Sequence, residues 1–359
     1  MSKKVRVLVV DDSAYNRRTI VKMLEVVPGI EVVGYACDGE EGLRKFFDLE
    51  PDLVTLDLEM PRMDGFTFLR VVMQKRHTPV IVVSARSEDS SVFKALELGA
   101  VEFVTKPPGK ISPALANIRD DLVRKVRQIA CTDMNKILAR SLSALGADQV
   151  VAGRSRRKWE VGGEGPFRQI VIGASTGGPP ALQQILSAIK GPIPVGIAIS
   201  QHMPPGFTRA FAERLDKVCA LEVREARSGD VMKPGRVLIS PGGKNLLFRS
   251  RGDKVVASVV SPGPDQRYVP SVDVMFASAS EAFGPSILGV VLTGMGNDGA
   301  KGIIAIKDAG GATLAEAEES SVVFGMPKEA IATGKVDQVV ALPRMGEEIL
   351  RWCEAGRRR

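Results

Sequence analysis

Twice along this 359-residue chain, short apolar strands alternate with stretches whose apolar residues recur at helical spacing. That alternation restricts the fold more than any other feature does. A strand followed by an amphipathic helix and then another strand closes most readily as a parallel sheet with helices packed on its faces, so each region predicts an α/β domain. In open sheets of that kind ligands gather beyond the C-terminal ends of the strands, so the residues just after each strand carry the functional reading.

The first region covers residues 1–125 and reads as five strands: "VRVLVV" (5–10), "IEVVGYA" (30–36), "LVTLDL" (53–58), "VIVVSA" (80–85) and "EFVTK" (102–106). Its size suits a flavodoxin-like sheet. Ser112-Pro113 then offers a helix N-cap with proline at the first helical position, and apolar residues recur at helical spacing to Leu145. Residues 126–166 are therefore expected to join the domains, first as helix and then as a flexible segment rich in glycine and charge. From residue 167 to 359 a second domain is predicted. Its strands "QIVIGAS" (169–175), "VGIAIS" (195–200), "SILGVVLTG" (286–294) and "ATLAE" (312–316) look parallel and buried, making a doubly wound, mainly parallel sheet. "GRVLISPGGKNLLF" (235–248) and "DKVVASVV" (253–260) are expected to add an antiparallel edge to that same sheet.

Charge and cysteine usage exclude several classes of function. The net charge is +7, but residues 110–168 alone hold 12 Lys/Arg against 6 Asp/Glu, which is +6 of it. Trp159 is the one aromatic of residues 126–166, and so basic a join reads as a solvated tether, so no nucleic-acid partner is expected. The four cysteines show no CxxC spacing, which argues against a disulfide framework or a zinc site. No apolar run is long enough to span a bilayer and no signal peptide is evident, so a cytoplasmic protein without membrane insertion is expected.

Polar residues crowd the strand ends of the first region. Asp11 and Asp12 follow the first strand, Asp57 ends the third, Ser84 the fourth and Lys106 the fifth. Three converging carboxylates repel one another unless a hard cation such as Mg²⁺ lies among them. Lys106 offers a point charge to a phosphoryl oxygen, Ser84 a hydroxyl, and Asp57 a carboxylate able to attack phosphorus. With "VDDS", "LDLEMPRMDG", "VSA" and "FVTKP" in place, residues 5–123 resemble a response-regulator receiver domain. The resemblance implies phosphorylation of Asp57 by a histidine kinase and Mg²⁺ held by Asp12, Asp57 and the Glu59 carbonyl, with Asp11 nearby through water. It also implies a switch pair, Ser84 and Phe103, and a cis Lys106–Pro107 bond. His77 reads as a surface loop residue.

In the second region "IGASTGGPPAL" runs a strand straight into a serine, then small residues and a helix. G-x-S-x-G fits an elbow that exposes a nucleophilic hydroxyl, but the same turn and helix start would also cradle a phosphate. The absence of a Walker lysine, and of an acid at dinucleotide spacing, disfavours the cradle. A nucleophile needs a base, and His202 in "SQHMP" follows the next strand. An acid to orient it is offered by Asp298 in "LTGMGNDG", at a strand end; its rival, Asp273 in "PSVD", starts a helix, where the helix dipole alone accounts for an acid. The order Ser–His–Asp differs from that of ordinary α/β-hydrolases.

Together "IGASTGGP", "SQHMP", "SPGG", "PSVD", "LTGMGNDGA" and "VFGMPKEA" resemble the catalytic domain of the chemotaxis protein-glutamate methylesterases (CheB) over about 167–352. That resemblance implies Ser175 as nucleophile, His202 as base and Asp298 as its partner, with Thr176 in the nucleophile turn and the Met295 N–H as oxyanion donor. It further implies a monomeric hydrolase needing no cofactor, acting on methylated or amidated cytoplasmic helices of chemoreceptors. The opposing reading is a non-catalytic output module, either nucleotide-sensing or DNA-binding; no helix-turn-helix is evident for the latter.

Overall fold

The computed structural model describes residues 4–85, 89–107, 118–130, 169–191, 193–252 and 254–354, and the chain divides into two units, Met1–Ala147 and Asp148–Arg359. The helix start expected at Ser112 and the flexible part of the join fall outside the described residues.

In the first unit the strands are β1 (Val5–Val10), β2 (Ile30–Ala36), β3 (Leu53–Leu56), β4 (Val80–Ala85) and β5 (Glu102–Lys106), and all pair in parallel in the order β2-β1-β3-β4-β5. The helices are α1 (Ala14–Glu25), α2 (Gly39–Leu49), α3 (Gly65–Lys75), α4 (Asp89–Glu97) and α5 (Arg119–Ala130). This is the flavodoxin-like order, with its switch point between β1 and β3. Three of the loops carry short polar side chains as helix caps: Ser13 accepts from the Asn16 N–H, Asp38 from that of Glu41 and Asp64 from that of Thr67. Acids with a structural duty are thereby separated from Asp11 and Asp57, which cap no helix. The Lys106–Pro107 bond is trans; among the described residues the cis bond is Val269–Pro270.

The second unit opens with β6 (Gln169–Ala174), α6 (Gly178–Ala188), β7 (Gly196–Gln201), α7 (Phe207–Val218), β8 (Glu222–Glu225) and β9 (Arg236–Ile239). A hairpin of β10 (Asn245–Arg251) and β11 (Lys254–Val260) follows, then α8 (Val272–Phe283), β12 (Ile287–Val291), α9 (Ala300–Asp308), β13 (Ala312–Glu316), α10 (Met326–Ala332), β14 (Gln338–Val340) and α11 (Leu342–Glu354). Seven strands pair in parallel in the order β14-β13-β12-β6-β7-β9-β8. From β6 the chain builds outward in one direction through β7, then returns to build the other side from β12. The crevice at that reversal lies between β6 and β12.

Every residue of β6, β7, β12 and β13 is buried, as expected for parallel strands covered on both faces. Leu182, Ile185 and Leu186 of α6 and Met275, Phe276 and Ala279 of α8 are also buried. Each of the leucine, isoleucine, methionine and phenylalanine side chains among them contributes about 1.5–3 kcal/mol by leaving water.

The expected antiparallel edge is not part of this sheet. "SPGGK" breaks the run 235–248 in two: β9 joins the large sheet in parallel, and β10 pairs only with β11. The hairpin buries Leu246, Phe248 and Ala257, and Phe248 meets Phe283 of α8 edge to face. Its apolar side faces a helix rather than the sheet, a choice that alternation of residues does not reveal. The short strands β8 and β14, which end the sheet on either side, carry too few apolar residues to stand out in the sequence.

Candidate active site

The registers of the two sheets decide which loop residues meet. In the first unit Val10 lies opposite Leu56, and the Asp57 N–H donates to the Val10 carbonyl (2.9 Å), so Asp11 and Asp57 leave adjacent strands side by side. Both are buried, and Lys106 at the end of β5 reaches them. Its ammonium hydrogen-bonds Asp57 and lies 2.9 Å from Asp11 Oδ2, off the line of a hydrogen bond, so that buried oxygen is paired in charge only. Burial pushes the Asp57 carboxyl up to about 7, against the attraction of Lys106 and with the repulsion of Asp11 added. Burial likewise raises Asp11, with Lys106 opposing, while the two carboxylates outweigh desolvation and raise Lys106.

One carboxylate oxygen each from Asp11, Asp12 and Asp57 lies within 4.8 Å of the others. A buried carboxylate oxygen lacking a hydrogen-bond donor, beside two more carboxylates, fits a hard divalent cation. Glu59, two residues past Asp57, is exposed. Ser84 and Phe103 are buried at the ends and core of β4 and β5, with Lys125 donating to the Phe103 carbonyl. His77 lies in the turn before β4.

In the second unit Ala174 of β6 lies opposite Gln201 of β7, and the His202 N–H donates to the Ala174 carbonyl (3.0 Å). The next pair along that rim is Ser175 and His202. Two features hold the serine turn. Gly177 takes a left-handed φ of 76° to start α6, and a side chain on Gly294 would stand 2.7 Å from Ser175 Cβ. The Ser175 N–H donates to the Thr293 carbonyl (3.0 Å), tying the turn to the end of β12 across the crevice.

His202 meets Asp298 through Nε2, 2.7 Å from Oδ2. A carboxylate only accepts, so Nε2 carries the hydrogen and the neutral ring keeps its lone pair on Nδ1. That is the opposite nitrogen from the one used in the chymotrypsin-type arrangement. Asp298 is buried and also accepts from Ser271 Oγ (3.0 Å) and from the N–H groups of Val272 (2.7 Å) and Asp273 (2.9 Å) at the start of α8. Burial alone would raise this carboxyl, but His202 and the two backbone donors outweigh it and hold it below the usual carboxylate range. Asp273 has a different duty: it accepts from the N–H groups of Gly299 (2.8 Å) and Gly302 (2.7 Å) at the start of α9. Burial and repulsion from Asp298 raise it, against those donors.

A catalytic-domain model described as CheB methylesterase matches residues 170–349, and one described as response regulator receiver domain matches residues 7–115. The chain is 56% identical to a protein-glutamate methylesterase/protein-glutamine glutaminase of Geobacter sulfurreducens, with 98% of each chain covered. It is 48% identical to one from Myxococcus xanthus, over 96% of this chain and 97% of that one. This chain belongs to the CheB methylesterase family. The crystal structure of the Thermotoga maritima CheB methylesterase catalytic domain matches with a TM-score of 0.50 and 39% identity, covering 52% of this chain and 98% of that one.

Within this CheB-family site three supporting residues escaped the sequence reading. Gln201 is buried and donates from Nε2 to the carbonyls of Ser175 (3.0 Å) and His202 (3.1 Å), joining the two rim residues from below. Thr293 donates through Oγ1 to the Thr176 carbonyl (2.9 Å), while its own N–H donates to buried Glu316 (2.8 Å). The Gly294 carbonyl accepts from the Met326 N–H (2.8 Å), anchoring the loop that carries Met295. Gln201 and Thr293 lie inside the motifs that carry the resemblance, where their position beside His202 and Met295 was the available signal. Among the described residues no helix is long and apolar enough to cross a membrane.

Proposed function

We propose that this chain is a phosphorylation-activated serine hydrolase that removes methyl groups from glutamate methyl esters on chemoreceptors and deamidates receptor glutamines. The observation that carries the reading is the 2.7 Å contact of His202 Nε2 with a buried, ionised Asp298, on the rim where β6 delivers Ser175. That contact leaves Nδ1 as the base.

The Ser175 hydroxyl attacks the side-chain carbonyl carbon of the substrate, and its proton passes to His202 Nδ1. The carbonyl oxygen becomes an anion, for which the Thr176 and Met295 N–H groups are the proposed donors. Both belong to loops tied down through Thr293 and Gly294. Collapse breaks the bond to the leaving group, which takes the proton from His202: the methoxy group of an ester leaves as methanol, and the amino group of an amide leaves as ammonia. Water then attacks the acyl-enzyme with His202 again as base, restoring the serine and releasing a glutamate carboxylate. Asp298 remains ionised throughout and steadies the imidazolium. None of these steps requires a cofactor.

In the receiver half, Asp57 accepts the phosphoryl group from a chemotaxis histidine kinase, forming an acyl phosphate. Asp11, Asp12 and Asp57, with the Glu59 carbonyl, would hold Mg²⁺, which supplies charge neutralisation at the phosphoryl oxygens. Lys106 contributes a further positive charge, and Ser84 and Phe103 respond to the new anion. Residues 1–125, 126–166 and 167–359 would be receiver, join and hydrolase of a monomeric cytoplasmic enzyme, with receptor helices and the kinase as partners and no nucleic acid.

The deciding experiment measures methanol release from methylated receptor with and without a phosphodonor. Release that rises with phosphodonor, and only when Asp57 is present, supports the reading. No release from any methylated receptor of the host overturns it.

A further inference from the structure

The loop before α8 brings an aromatic ring onto the proposed base. Tyr268 stacks on His202 with ring centroids 5.1 Å apart and planes 6° from parallel. The Arg267 guanidinium lies over the same tyrosine ring, 5.1 Å from its centroid, and Arg267 is otherwise exposed. Tyr268 is itself fixed: its carbonyl accepts from Gln266 Nε2 (2.7 Å), and its hydroxyl donates to Asn297 Oδ1 (3.4 Å), the residue before Asp298.

The physics of such a stack differs between the two states of the imidazole. A neutral ring gains only ordinary stacking, whereas an imidazolium is drawn to the negative face of the tyrosine. The distance lies within the roughly 6 Å over which that attraction operates. Among the described residues, the charged groups in contact with His202 or with the ring stacked on it are Asp298 at 2.7 Å and, through Tyr268, Arg267; Asp273 acts on Asp298, and the rim neighbours Ser175 and Gln201 are neutral. Arg267 and an imidazolium share one tyrosine ring, so each weakens the other's hold on it.

We propose that Tyr268 is a positioning residue for hydrolysis: its ring keeps the His202 imidazole in the Asp298-bound orientation and stabilises the imidazolium formed as Ser175 gives up its proton, with Arg267 opposing that charge. The proposal rests on His202 being the base. The full-length chain is assayed for methanol release from one methylated receptor preparation across pH, as wild type, Tyr268→Leu, Tyr268→Phe, Arg267→Gln and His202→Gln. Tyr268→Leu removes the π face, so kcat falls about tenfold and the acid limb of kcat/KM moves to lower pH by roughly half a unit or more. Tyr268→Phe keeps the face and restores both. Arg267→Gln removes the competing cation, and the acid limb moves the other way.

Opposite displacements of the acid limb in Tyr268→Leu and Arg267→Gln establish the role. An acid limb that does not move in Tyr268→Leu overturns it, whether or not kcat falls, because a purely structural loss changes rate without changing titration. If no Tyr268 variant folds, Arg267→Gln decides by the same criterion: an unmoved limb, or one displaced to lower pH, overturns it. Activity that survives in His202→Gln instead removes the base reading itself.

Discussion

Asp298 and Asp273 each hold the first turn of the other's helix. Asp298, in the loop leading into α9, takes the Val272 and Asp273 N–H groups that begin α8, and Asp273 takes the Gly299 and Gly302 N–H groups that begin α9. The exchange locks two helices and the loop between β12 and α9 into one piece. It also leaves one free direction on Asp298 Oδ2, and His202 fills it.

The two acids therefore predict different losses. Asp298→Asn keeps an acceptor for α8 but removes the charge that steadies the imidazolium, so kcat falls by about 10²–10⁴-fold while the fold persists. Asp273→Ala removes a cap from α9 and costs about 1–2 kcal/mol of stability, with a far smaller loss of kcat. Turnover and thermal unfolding measured on both variants separate the roles. A larger loss of kcat in Asp273→Ala would exchange the two assignments.

Ser175→Ala is expected to lower methanol release by about 10⁴–10⁶-fold. The turn backbone is held by the Ser175 N–H, the Thr293 carbonyl and the Ser175 carbonyl, none of which the substitution touches, so the melting temperature should stay near wild type. Activity within tenfold of wild type would remove Ser175 from the mechanism.

The pH–rate profile should have a single acid limb, set by protonation of the base that takes the Ser175 proton. Asp298, held below the usual carboxylate range, stays ionised across that limb and adds no step of its own to it. His202→Gln should abolish the limb together with most of the activity. Loss of the limb in His77→Gln instead would place the base in the other unit.

Asp57 carries a stability signature that activity assays miss. Its folded carboxyl is raised to about 7 by burial, above its value in an unfolded chain. The folded state therefore holds a proton that the unfolded state has released, and stability falls as pH rises from about 4 through about 7. Without divalent cations at pH 8, Asp57→Asn should stabilise the receiver unit, and the gain should vanish near pH 4. Millimolar Mg²⁺ should narrow the difference by favouring the ionised wild type. Denaturant titrations at the two pH values, with and without Mg²⁺, check both expectations; equal stabilities at pH 8 would contradict the buried charge.

Much of this was legible in the order of residues. Alternating strands and helices dictate parallel α/β units because a strand covered on both faces reads as a short continuous apolar run, whereas an amphipathic helix repeats every 3.6 residues, and each leaves its own pattern. Strand-end positions then single out Asp57 and Lys106 in the first unit and Ser175, His202 and Asp298 in the second, since each parallel sheet delivers its strand ends to its own rim. What the order of residues could not contain is lateral: which strand neighbours which, and which face of a hairpin is covered. The 235–248 run is split between two sheets because β10 finds its apolar partner in α8, a contact made across the fold. The same holds at the site. Sequence position favours Asp298 over Asp273, but the contact itself is made in three dimensions: Asp298 reaches His202, and Asp273 holds the start of α9. Tyr268 reached the imidazole by no sequence rule at all, because stacking depends on where a loop lies in three dimensions and not on spacing along the chain.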